Sequence, residues 1–329
     1  MKEKEKKITK HELFLLQEHS SIDKQQFQAL YQTYGLASAQ QWKEFGYYAL
    51  LICGIVFLVS GIVFFFAFNW DQMAVSVKFA LIGLGILLSA YGAMTSRVTE
   101  NINKISLVAT SVLLGVLLAV FGQTYQTGAN AYDLFLTWLL IVIPLTLVSQ
   151  STYQWLFFSI LANTTLILAL VQVLQVESVF LGIIYLVLTN LVLLALPQLK
   201  PLHPTFQIGN LYKQTQSIVV YVLATAGFGF WIFSQRSQDR AVELEGALWT
   251  LILSLILIGG GLALGWKQKQ IYLFSYALIA AVSCGLMVWM RMFEDAAEGL
   301  LVYMLYAVGA IFFIIKLVSK KSKEWKYED

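Results

Sequence analysis

The sequence predicts an all-α polytopic transmembrane bundle of about ten spans, with both termini cytoplasmic and a short N-terminal helical hairpin before the first span. Three observations predict it. Of 329 residues, 58% are hydrophobic and 12% charged, with a mean hydropathy of +0.70. A soluble domain of this length carries about twice that charged fraction, and here too few polar residues remain to cover a soluble core. The apolar residues also gather into runs close to the ~20 residues that a bilayer core demands. Finally, lysine and arginine concentrate in alternate gaps between those runs.

Residues 1–45 read as two short helices outside the membrane. Thr9 and Glu12 fit a capping box, in which a hydroxyl and a carboxylate each satisfy an orphan amide. Asp23 and Gln26 repeat it, Ile22 is placed to staple against Phe27, and Gly35 supplies the stop. The first apolar run begins near Gly46 and is long enough to span rather than to be cleaved, so no signal peptide is expected.

The spans follow at 46–67, 74–94, 106–122, 132–149, 155–173, 177–196, 216–233, 246–265, 271–290 and 298–317. The stretch 155–196 is too long for one span, so a tight turn is expected near Gln175 to Glu177. Pro197, Pro201 and Pro204 keep the next connection extended. This divides the chain into a hairpin (1–45), a six-span part (46–196), a Pro-rich cytoplasmic linker (197–215), a four-span part (216–317) and a basic tail (318–329).

Orientation comes from the basic residues. With ten spans and the N-terminus inside, seventeen lysines and arginines fall in inner segments, from Lys2 through Arg97 and Lys200 to Lys326. Three, Arg236, Arg240 and Arg291, fall outside. That asymmetry is the positive-inside pattern, and a wrong span count would scramble it. Aromatic residues collect at the same boundaries, with Trp42, Tyr153 and Trp266 at inner ends and Trp70, Tyr125 and Trp249 at outer ends.

Polar groups are costly in a bilayer and mark candidate sites. They cluster in two outer connections. One holds Asn69, Trp70 and Asp71, with Lys78 about two turns further on. The other reads FGQTYQTGANAYDLFLTW and supplies Gln123, Tyr125, Gln126, Asn130, Tyr132 and Asp133. An ammonium within a span needs a carboxylate or must snorkel, so Asp71 and Asp133 are the expected partners of Lys78. This cluster is either a structural ion pair between hairpins, a polar vestibule for a cation or small polar solute, or a surface for a partner protein.

Other features have plainer roles. Cys53 and Cys284 lie in separate apolar runs and suggest packing, not a disulfide or zinc site. His11-Glu12 lacks the second histidine of a metalloprotease helix, since position 15 is Leu15. Pro144 frees a carbonyl in span four, while Asn163, Thr164, Thr165 and Asn190 read as interhelical hydrogen-bond donors and acceptors. Gly261 and Gly265 form a GxxxG, which permits close packing within the chain or in an oligomer. No Walker loop, GxSxG, GxGxxG or arginine-repeat span occurs, so no enzyme, metal or cofactor is expected, and the modest charge of +3 argues for no nucleic acid.

The words FNWDQMAVSVKFALIGLGILLSAYG and FGQTYQTGANAYDLFLTWLLIVIPL resemble the bacterial membrane family known as domain of unknown function 2157. Asn69, Trp70, Lys78, Gly122, Gln123, Tyr125, Gly128, Asp133, Leu134, Trp138 and Pro144 carry the likeness, which covers roughly residues 10–155. The resemblance implies a bacterial cytoplasmic-membrane protein and supplies no catalytic residues. Some members are encoded beside a small secreted protein with a GDYxxLxY motif, which implies an envelope partner. The expected function is therefore non-enzymatic binding or permeation of a small polar solute or cation through an outer vestibule of spans one to four. The alternative is an envelope scaffold that recognises a periplasmic protein. Membrane lipids are partners in either case.

Overall fold

The computed structural model describes residue 23 and residues 39–95, 99–149, 151–199, 209–234, 246–292 and 299–326. Among these there are ten α-helices and no strand. The expected N-terminal hairpin lies outside the described residues, as do Arg236 and Arg240. The chain divides into two units, Met1–Ala74 and Val75–Asp329.

The first unit contributes α1 (Ala39–Asn69). It begins seven residues before the expected span because AQQWKEF is itself rich in helix formers. Gln40 Nε2 donates to Glu44 Oε1 at 3.0 Å, an i,i+4 pair that supports that polar first turn. At 31 residues α1 is about 46 Å long, enough to cross a bilayer and project beyond it.

The second unit holds α2 (Val75–Met94), α3 (Glu100–Tyr125), α4 (Ala131–Val148), α5 (Thr152–Leu168), α6 (Val179–Ala195), α7 (Asn210–Ser234), α8 (Ala247–Lys267), α9 (Ile271–Met292) and α10 (Gly299–Lys326). Each of the nine, α5 and α6 together with the short helical turns that follow them, is long and apolar enough to cross a membrane. Sequence neighbours pack together from α2 to α10, as short connections favour. The helix α7 also reaches α5 and α9, and it is the most buried of the set.

The break between α5 and α6 falls where the sequence expects it. A π-helical turn, Ala169–Val173, ends α5, and Gln175 takes a left-handed φ of 47°. Ser178 then caps α6 by accepting from the Leu181 amide. In contrast, α7 starts six residues before the expected span. Tyr212, placed by sequence in the linker, is fully buried against Trp155. Its hydroxyl donates to the Leu193 carbonyl at 2.7 Å and lies 3.1 Å from Ser159 Oγ, which fixes the first turn of α7 to α5 and α6.

Helix α10 likewise continues past the expected end at 317. Lys320 and Lys321 pair with Glu324, and Trp325 buries itself against Trp266 and Phe274. The GxxxG of α8 is used inside the chain. A β-carbon on Gly261 would strike the Tyr221 hydroxyl of α7, and one on Gly265 would lie 2.6 Å from the Phe274 amide nitrogen of α9.

Asn163 and Asn190 join α5 to α6 by reciprocal amide bonds of 3.1 and 2.7 Å, as their sequence positions suggest. Thr165 donates to the Phe135 carbonyl of α4, while Thr164 turns back on its own helix. Replacing Asn163 with leucine leaves the buried Asn190 amide short of a partner and is expected to cost about 1 kcal/mol. The double variant with Asn190→Leu should cost little more, a coupling readable by a double-mutant cycle on unfolding in bicelles. Strict additivity of the two single losses would contradict the pairing.

Candidate functional site

Within the second unit, the connection between α3 and α4 builds a polar cavity. Helix α3 ends when Gln126 enters the left-handed region at φ 44° and donates its amide to the Gly122 carbonyl. Thr127 donates to that carbonyl as well, at 3.3 Å. Gly128 follows with φ 66°, a conformation that costs glycine little and a β-branched residue much. The chain then re-enters helix at Asn130, whose amide donates to Asp133 Oδ2 at 3.0 Å. Asp133 is therefore a capping residue as well as a site candidate, three places after the N-cap where a carboxylate is favoured.

Gln172, on the π-helical turn of α5, accepts from the Tyr132 amide at 3.0 Å. It satisfies one of the orphan amides of α4. Sequence reading passed over Gln172 because nothing local marks it.

The resulting cavity has a volume of about 540 Å³. Gln123, Thr127, Asn130, Asp133 and Thr137 form its polar lining, and Leu118 and Leu134 its apolar part. Leu118 lies five residues before Gln123, about 7.5 Å deeper along α3. Below that level the pair of helices closes. The Trp138 ring lies so close to Gly115 that a β-carbon there would fall 2.1 Å from it, and its Nε1 donates to the Ser111 carbonyl at 2.7 Å. Phe135 and Phe157 hold the ring at centroid distances of 5.6 and 5.7 Å. The cleft is blind.

Deeper still, Gln154 of α5 is fully buried and donates to Ser111 Oγ at 2.8 Å and Thr146 Oγ1 at 3.3 Å. These three polar side chains tie α3, α4 and α5 together. They escaped the sequence search because single serines and threonines in apolar runs carry no distinguishing pattern.

The remaining candidates divide. Tyr125 is exposed, with ring contacts to Phe121 at 4.8 Å and to Phe79 of α2 at 6.3 Å. Lys78 precedes Phe79 and is half-buried. Because α2 starts at Val75, Lys78 falls in its first turn and not well inside the span as expected. Asp71 lies in the turn before that helix, so the two residues do not share one helix. Asn69, Trp70 and Asp71 belong to the first unit, where the Asn69 and Trp70 carbonyls accept from the Gln72 and Met73 amides to turn the chain. Among the described residues there is no group of three or more His, Cys, Asp or Glu side chains placed to hold a metal.

No curated protein and no solved structure matches the chain. Residues 15–155, a stretch ending in the first turn of α5, match the model of the family described as "Predicted membrane protein (DUF2157)", a family of unknown function.

Proposed function

We propose that this chain is a non-enzymatic protein of the bacterial cytoplasmic membrane, crossing it ten times with both termini cytoplasmic, and that it binds a small polar solute or monovalent cation in the α3–α4 cleft on the outer side. The supporting observation is the cavity that unites Gln123 and Asp133 above the Trp138–Gly115 closure. Its size suits a small ligand. One carboxylate among amides and hydroxyls favours a hydrogen-bonding solute or singly charged cation over a calcium-type ion, which takes six to eight oxygens. The closure beneath argues for binding without passage between α3 and α4. The topology rests on the seventeen-to-three distribution of basic residues, and α1 supplies the tenth span by length and composition.

The second reading, a scaffold for a periplasmic partner, draws on the exposed Tyr125 and Phe121 beside the cleft. Aromatic side chains of that kind anchor protein interfaces.

Sidedness is tested with single cysteines in a Cys53→Ser, Cys284→Ser background. Thr127→Cys should react with a membrane-impermeant maleimide in intact cells, and Gln268→Cys only after permeabilisation. The reverse pattern would overturn the topology. Binding is tested by thermal shift in nanodiscs against a panel of sugars, amino acids and alkali cations. A ligand present at a hundred times its Kd should add about 2.7 kcal/mol of stability, and Gln123→Leu should abolish that gain. A panel without effect on the wild type, together with co-purification of a periplasmic protein that Tyr125→Ala releases, would favour the scaffold.

A further inference from the structure

A second polar cavity lies at the other end of the same helix pair. Its volume is about 550 Å³, and it is bounded by the last turn of α2, the start of α3 and the end of α4. Asn103, on its wall, precedes Gln123 by twenty residues of α3, about 30 Å of helix. That is the thickness of a hydrocarbon core, so the two cavities belong to opposite membrane surfaces.

Three side chains give this cavity its chemistry. Lys104 retains 29% side-chain exposure and pairs with the largely exposed Glu100 at 2.6 Å. Asn103 donates from Nδ2 to the Thr95 carbonyl at 2.9 Å. Its Oδ1 is buried and has no hydrogen-bond partner among the described residues. A buried acceptor left without a donor costs about 1–3 kcal/mol, and a ligand donor at the cavity would relieve that cost once the Asn103 side chain turns its Oδ1 toward it. Leu107, Leu145 and Val148 carry the cavity wall toward the apolar level of the helices, and Val148 is 83% exposed.

The geometry points to a phosphoethanolamine phospholipid as the occupant. Its phosphate would accept from Lys104, its primary ammonium would donate to Asn103 Oδ1 and the Glu100 carboxylate, and one acyl chain would follow Leu107, Leu145 and Val148. Among the described residues of the cavity there is one cation, Lys104, and one anion, Glu100, which together suit a zwitterion. A phosphocholine headgroup has the same charge but no N–H to give Asn103. A phosphoglycerol headgroup can donate, yet it brings net negative charge beside Glu100. This site stands apart from the outer cleft and does not depend on what binds there.

The test is native mass spectrometry of the full chain in detergent with an equimolar mixture of dioleoyl phosphatidylethanolamine, phosphatidylcholine and phosphatidylglycerol. Phosphatidylethanolamine should be retained about tenfold over phosphatidylcholine, the worth of one charge-assisted hydrogen bond. Glu100→Gln and Asn103→Leu should each bring that ratio close to one, and Lys104→Gln should weaken retention of all three lipids. Asn103 also holds Thr95, so Glu100→Gln, at a solvent-facing position, carries the test where Asn103→Leu fails to fold. Equal retention of the three lipids, preference for phosphatidylglycerol, or a ratio unchanged in Glu100→Gln would overturn the proposal. So would full displacement by soluble phosphoethanolamine at equal concentration, which would assign the site to a free metabolite instead of a lipid.

Discussion

Gly265→Leu is expected to unfold the α8–α9 hairpin, with a loss of about 3 kcal/mol or more in detergent. The physical reason is the identity of the atoms a side chain would meet. A β-carbon at Gly265 lies 2.6 Å from the Phe274 amide nitrogen and 2.8 Å from its Cα, and a backbone cannot step aside as a side-chain tip can. The two helices are joined by only three residues, Gln268 to Gln270. Gln268 and Gln270 donate their amides to the Leu264 and Gly265 carbonyls, so the turn itself resists separation. Displacing Phe274 would also part it from Trp266 and Trp325, and so loosen α10. The measurement is a thermal melt followed by tryptophan fluorescence. Gly259→Ala is the contrast, since nothing lies within 4 Å of its β-carbon and alanine favours helix. A Gly265→Leu protein that melts like wild type would disprove this packing.

Trp138→Ala is expected to lower stability by about 3–5 kcal/mol and to open the floor of the α3–α4 cleft. The indole fills the space over Gly115, contacts two phenylalanine rings and donates to the Ser111 carbonyl. Beneath it lie Ser111, Thr146 and Gln154, a polar group that offers water a place once the ring is gone. The readout is chemical. Ser111→Cys should resist a small water-soluble thiol reagent with Trp138 in place and react once Trp138 is alanine. Equal reactivity in the two backgrounds would mean that Trp138 does not close the cleft.

These effects show where sequence reading succeeds in this protein and where it stops. The apolar runs located all ten of the described helices, because a membrane core imposes a length and a composition that no other constraint disguises. Their ends were less legible. Tyr212 looked like linker because three prolines precede it, yet its hydroxyl bonds to α5 and α6 and starts α7 early. The basic stretch after residue 317 looked like a tail, yet Trp325 packs on Phe274 and Leu278 and draws the helix onward. In each case a long-range contact extended a helix beyond the apolar run that defined it.

The candidate site shows the same division. The connection from Gln123 to Asp133 stood out in sequence because amides and a carboxylate are rare between such apolar runs, and the structure gathers Gln123 and Asp133 into one cavity. A helix face shared by Asp71 and Lys78 requires a helix that begins at or before Asp71. The chain turns instead through residues 70–72, and α2 starts at Val75.

By itself, then, the sequence determined that this is a chain of membrane-length helices, where they break, and which connection is polar. Those properties are written in local composition and in the cost of exposing polar groups to hydrocarbon. Only the tertiary structure decided that Asp133 caps a helix, that Gly261 and Gly265 serve contacts within the chain, and that Trp138 closes the cleft over Gly115. The first depends on one hydrogen bond and the others on distances between helices. Such distances are set by packing between residues far apart in the chain, which no run of neighbouring residues records.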